Sequence, residues 1–153
     1  MRARSTRVQA SITGTGAQTL LQVYAANSNR PIKIVKWGIS FTGTDNLGEP
    51  IRCQLVKQTT TGTGGGTNTP VKKTTTESES VEATAFDDST AITVQPTTSD
   101  LYDEEMVHPQ GGYEAVETDP EKFKIAGGQR IAVYLPEGVP ATVEGVAFIE
   151  WDE

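Results

Sequence analysis

The stretch Pro31-Ile32-Lys33-Ile34-Val35-Lys36-Trp37-Gly38-Ile39-Ser40-Phe41-Thr42 decides the fold. Val35, Trp37, Ile39 and Phe41 recur at every second position, the period of a strand with one buried face. Ile32 and Ile34 fall on the opposite parity. Either both faces are buried there or a bulge near Ile34 switches the buried face, and the bulge is the preferred reading.

Outward from this segment the pattern repeats in shorter form. Residues 20–25 read as a strand, and so do residues 50–57, where Ile51, Cys53 and Leu55 alternate with Arg52 and Gln54. Cys53 lies in the apolar register, so it reads as a small buried hydrophobe rather than a nucleophile. Residues 59–69, Thr-Thr-Thr-Gly-Thr-Gly-Gly-Gly-Thr-Asn-Thr, break the periodicity and read as a flexible loop ended by Pro70. Weaker strands are expected at 70–74, 80–86 and 91–95, and residues 100–107 read as a strand or one helical turn. Residues 112–117, 122–126, 130–135 and 142–151 complete the set. The last carries Val143, Ala147, Ile149 and Trp151 on one parity and Val146 and Phe148 on the other. Burial on two sides suits a central strand or a contact between subunits, which makes Trp151 a candidate partner-binding residue.

Threonine is the commonest residue, and prolines at 31, 50, 70, 96, 109, 120, 136 and 140 punctuate the strands. Such a chain describes an all-β antiparallel sandwich of about 8–10 short strands, in which a jelly roll fits the length. The 153 residues suffice for one domain with a core of its own. No stretch approaches the roughly 18 apolar residues of a membrane helix, and the start of the sequence lacks the apolar region of a signal peptide. A single cysteine and a single histidine leave no disulfide framework and no multi-cysteine zinc site.

Charge is unevenly spread. The net charge is −7, yet no acid occurs up to residue 44, where Arg2, Arg4, Arg7, Arg30, Lys33 and Lys36 give +6. The remainder carries −13, a balance that repels nucleic acid and lets a basic segment reach an acidic neighbour. Residues 1–10 are therefore expected to form an extended basic arm ahead of a single sandwich domain at 11–153. Arg2, Arg4 and Arg7 are its candidate partner-binding residues.

Chemical motifs are sparse. Residues 13–19 lack the third glycine of a dinucleotide fingerprint, and the loop at 62–66 lacks the Lys-Ser/Thr of a P-loop. His108, followed by Pro109-Gln110-Gly111-Gly112, reads as a turn residue with no nucleophile signature beside it. The acids at 87–88, 103–105 and 117–121 have no calcium-loop spacing and read as solvated surface. The pattern points to a protein without enzymatic activity, cofactor or metal.

Several pieces taken in order carry a resemblance: Ser11-Ile12-Thr13-Gly14-Thr15-Gly16-Ala17-Gln18-Thr19-Leu20-Leu21, then Val35-Lys36-Trp37-Gly38-Ile39-Ser40-Phe41. Glu49-Pro50-Ile51 and Leu55-Val56-Lys57-Gln58-Thr59 follow, then a Thr/Gly loop, Val107-His108-Pro109-Gln110-Gly111-Gly112, and an apolar strand with an acidic tail. This order resembles small virion structural proteins of tailed bacteriophages, of the head decoration (capsid cement) type. The resemblance implies a jelly-roll-like domain, made in the host cytoplasm and carried as a homotrimer on the outer surface of the phage head. Its partners would be the major capsid protein and further copies of itself, with no nucleic acid or membrane. The rival expectation is a jelly-roll tail or fibre component that stacks a host-surface glycan on Trp37, Tyr113, Tyr134 or Trp151.

Overall fold

The structure is a computed structural model that describes residues 1–43, 48–73, 76, 78–119 and 121–153, with the side chain of Gln9 left aside. Residue 74, at the end of the strand expected at 70–74, and Pro120 lie outside the described residues. The described residues form strands, turns and loops, with no helix.

The strands are β1 (Arg2–Ile12), β2 (Gln18–Tyr24), β3 (Ile32–Phe41), β4 (Ile51–Gln58), β5 (Thr63–Asn68) and β6 (Val71–Lys72). They continue as β7 (Thr84–Val94), β8 (Thr98–Val107), β9 (Gly112–Val116), β10 (Lys124–Ile125), β11 (Arg130–Leu135) and β12 (Val143–Asp152). One sheet runs β10-β3-β12-β1-β6, with β9 also paired to β3. The second runs β5-β7-β2-β11-β4-β8, and every pairing in both is antiparallel. The two sheets bury a common core between them, so the chain is a β-sandwich.

The deciding segment behaves as its pattern requires. Lys36 pairs with Glu150 and Ile34 with Trp151, which leaves Val35 as the extra residue of a bulge. Ile32 and Ile34 before it, and Trp37, Ile39 and Phe41 after it, therefore all reach the core. The bulge is anchored on its other side by Ile34 N–H donating to the Phe123 carbonyl (3.0 Å) and Glu117 N–H donating to the Val35 carbonyl (2.7 Å). β12 lies between β3 and β1, which accounts for its two-sided pattern. Ala147, Ile149 and Trp151 enter the core, while Val146, Phe148 and Glu150 alternate onto the outer face.

Three expectations are corrected. Residues 2–12 are not an arm but a strand held between β12 and β6, with Ala3, Ser5 and Arg7 turned inward. Their inward side chains are small or charged, so no apolar alternation announces the strand. The Thr/Gly segment contains β5, paired to β7. Its glycines are there for close approach: Gly64 has φ +86, and a Cβ on it would collide with the Ala91 carbonyl. The strands expected at 80–86 and 91–95 form one eleven-residue strand, β7, and residues 98–107 are strand throughout.

Candidate interaction surfaces

The basic residues expected to meet a partner are largely occupied within the chain. Arg2 makes a bidentate pair with Asp152, Nε to Oδ1 and Nη2 to Oδ2 both at 2.9 Å, and this contact raises the guanidinium above its ordinary pKa. Arg7, 2% exposed, points into the sandwich. Its Nε and Nη2 donate to the Asp88 carboxylate on β7, and its Nη1 donates to the Gly145 carbonyl (2.9 Å) and the Val8 carbonyl (3.2 Å). Val8 lies where β1 slips register against β12, so Arg7 fills the irregularity with a charge that also ties the two sheets. Trp151 is fully buried and its indole N–H donates to the Glu153 carboxylate at 3.0 Å. Contact of Arg7 and Trp151 with a partner is thus replaced by contacts inside the fold.

Arg4 is the exception. Its guanidinium lies 4.0 Å from the centre of the Phe148 ring and its Nε donates to Thr6 Oγ1, and no carboxylate pairs with it among the described residues. It belongs to the outer face of the first sheet, where pairing sets Val116, Lys36, Glu150, Arg4 and Val71 in one row across five strands. The next row is Glu114, Gly38, Phe148 and Thr6, and beyond it lie Gly112, Ser40 and Val146. The Phe148 ring covers Gly38: a Cβ there would sit 2.7 Å from the ring. Small residues at 40 and 112 leave a shallow hollow of about 270 Å³, lined by Ser40, Gly112, Tyr113, Glu114, Val146 and Phe148.

The second surface is the outward side of β8, the edge of the other sheet. Leu101 pairs with Val56, Glu104 with Gln54 and Met106 with Arg52, while the intervening inward positions of β4, Cys53 and Leu55, enter the core. Leu101, Glu104 and Met106 therefore project together, with Leu101 57% and Met106 49% exposed. On the inner side, Asp103 Oδ2 accepts from Trp37 Nε1 (3.0 Å) and from the Tyr113 hydroxyl (3.3 Å), closing the sandwich between β8 and β9. Burial beside Asp103 holds the Tyr113 hydroxyl above its ordinary pKa.

A third feature is a groove of about 400 Å³ between residues 11–19 and the C-terminal half of β7. Its Thr/Gly loop is a turn, as expected: Gln18 Nε2 donates to the Thr13 and Gly14 carbonyls (2.6 and 2.9 Å), and Val139 N–H donates to the Gly14 carbonyl (2.8 Å).

The remaining chemical candidates have local partners. His108 Nδ1 accepts the Gln110 N–H at 3.1 Å, within the turn that leads into β9. Cys53 is buried, and burial, with Glu105 nearby, pushes its thiol up to about 12. Asp87 accepts from Asn68 Nδ2 (2.7 Å) and Ser89 N–H (3.0 Å). Among the described residues no three His, Cys, Asp or Glu side chains converge to hold a metal ion. Of the aromatics considered for sugar stacking, Trp37 and Trp151 lie in the core.

Sequence reasoning missed the hollow, the Arg7–Asp88 tie and the Asp103 bridge. A signal for the first was present: Gly38 stands in the middle of a strongly apolar strand, where glycine marks a close approach. No known protein family, no curated protein and no solved structure matches the chain.

Proposed function

We propose that this chain is a non-enzymatic head decoration (capsid cement) protein of a tailed bacteriophage, which binds the outside of the assembled shell as a multimer and bridges capsid subunits. The observation that carries the reading is the spatial order of eight of the strands. β1, β3, β9 and β12 form one sheet, and β2, β4, β8 and β11 the other, in the spatial orders β9-β3-β12-β1 and β2-β11-β4-β8. With β5 and β7 continuing the second sheet past β2, this order supports a jelly-roll reading of the sandwich, an architecture used by viral capsid domains among others. The resemblance in strand and turn motifs supports the same reading. A trimer in contact with the major capsid protein follows from the resemblance.

A protein that binds only the assembled shell stabilises it by mass action. The outer faces are suited to such binding: they are broad, carry exposed apolar side chains and mix both signs of charge.

The test is co-sedimentation of the purified protein with expanded heads that lack it, followed by heating. Saturable binding with a raised temperature of shell disruption is expected. Heads that sediment without the protein, and disrupt at an unchanged temperature, would overturn the reading.

A further inference from the structure

We propose that copies of this chain associate head to tail, with the outward side of β8 of one copy seated in the hollow on the outer face of the β9-β3-β12-β1 sheet of the next. The inference names the self-contact of the multimer invoked in the proposed function, but it stands on surface chemistry that is independent of any shell.

Three complementarities single out this pair of surfaces. The first is shape. β8 offers protruding Leu101 and Met106, whereas the opposite sheet offers a depression of about 270 Å³ where Ser40 and Gly112 are small. The second is apolarity. The large apolar side chains exposed among the described residues are Val8, Val71, Val94, Leu101, Met106 and Val116. Leu101 and Met106 flank the projecting Glu104, while Val71 and Val116 close the two ends of the row that holds Lys36 and Arg4, above the Phe148 floor. The third is charge. Glu104, the acid on this outward side, accepts from Gln54 Nε2 and reaches Arg52 only at 4.0 Å. Across the contact, Arg4 lacks a carboxylate partner among the described residues, and Lys36 stands in the same row, its Nζ 2.7 Å from Glu114.

The same features exclude two simpler arrangements. Pairing β8 with β8 would place Asp100, Asp103, Glu104 and Glu105 against themselves, and like charges directly opposite are destabilising. Strand addition at this edge is blocked as well. The Glu104 and Met106 N–H groups are already capped by the carboxylates of Asp103 (3.0 Å) and Glu105 (3.3 Å), so the edge is guarded by its own acids. Side-chain docking into the facing sheet is what remains. Since the two patches are different surfaces of one chain, the contact is heterologous and generates a ring when its rotation closes.

Sedimentation velocity in the absence of shells tests this without reference to shell binding. The wild-type chain at about 10 µM is expected as a closed multimer, and Met106→Lys (knob) and Ser40→Tyr (hollow) are each expected to weaken association at least about tenfold. Far-UV circular dichroism of each variant, both altered at surface positions, checks that the sandwich is intact. An equimolar mixture supplies the decisive reading, because one variant keeps a sound knob and the other a sound hollow, so the mixture should form dimers. A monomeric wild type, either variant at wild-type mass, or a mixture that stays monomeric would overturn the proposal.

Discussion

Arg7 on β1 of one sheet and Asp88 on β7 of the other form an ion pair inside the sandwich, where the guanidinium also donates to the Gly145 and Val8 carbonyls beside a slipped register. A buried pair of this kind costs desolvation to form, and its loss leaves a charge without compensation. Arg7→Ala is therefore expected to destabilise the fold by about 3–5 kcal/mol, measured by urea unfolding. A double variant, Arg7→Met with Asp88→Leu, should recover much of that loss, since it removes both charges. Equal stability of Arg7→Ala and wild type would contradict the assignment.

Asp103 holds two donors from the opposite sheet on one carboxylate oxygen. Asp103→Ala leaves the Trp37 indole N–H and the Tyr113 hydroxyl without that acceptor, at a cost of about 1–3 kcal/mol. Trp37 is in the core, so its fluorescence should shift to the red as water reaches the indole. An unchanged spectrum together with unchanged stability would show that the bridge contributes nothing.

The glycines give a matched comparison. Gly64→Ala combines a left-handed backbone with a collision against the Ala91 carbonyl, whereas a Cβ on Gly16 meets nothing within 4 Å. Thermal unfolding should therefore show a loss of at least about 1 kcal/mol for Gly64→Ala and little change for Gly16→Ala. The reverse ranking would mean that residues 63–68 do not pair as β5.

Alkaline stability should report on Cys53. Its thiol rises from an ordinary 9.0 to about 12 in the fold, so the unfolded chain loses the proton first. Between those values the folded state binds more protons, and stability must fall as pH rises. Cys53→Ala should flatten the slope of unfolding free energy against pH between about 9 and about 12, and the wild-type thiol should resist thiol reagents at pH 8 until the chain is unfolded. Rapid labelling of the folded protein would contradict the burial.

What could be read from the sequence follows from which side chains face the core. β3, β4, β11 and β12 send isoleucine, leucine, valine and tryptophan inward at period two, and these segments are legible as strands. β1 buries Ala3, Ser5 and Arg7, and a strand whose inward positions are small or charged carries no apolar signal. β5 was hidden for a different reason: glycines that usually signal flexibility stand there because neighbouring backbone and the Phe86 ring leave no room for a Cβ. The interaction surfaces were less legible than the core. Arg2, Arg4 and Arg7 share a sequence neighbourhood, but strand alternation sends Arg7 inward and leaves Arg2 and Arg4 outside, and only the register against β12 and the packing against β7 show which charge is spent on which partner.

Electron cryomicroscopy of intact particles is the decisive experiment for the proposed place of this sandwich on the outer surface of a phage head. Density for the two sheets is expected on the outside of the shell, repeated at equivalent positions, with residues 2–12 inside the first sheet and neighbouring copies in contact. Density for the chain on the tail alone, or particles whose shells carry no such sandwich, would contradict it.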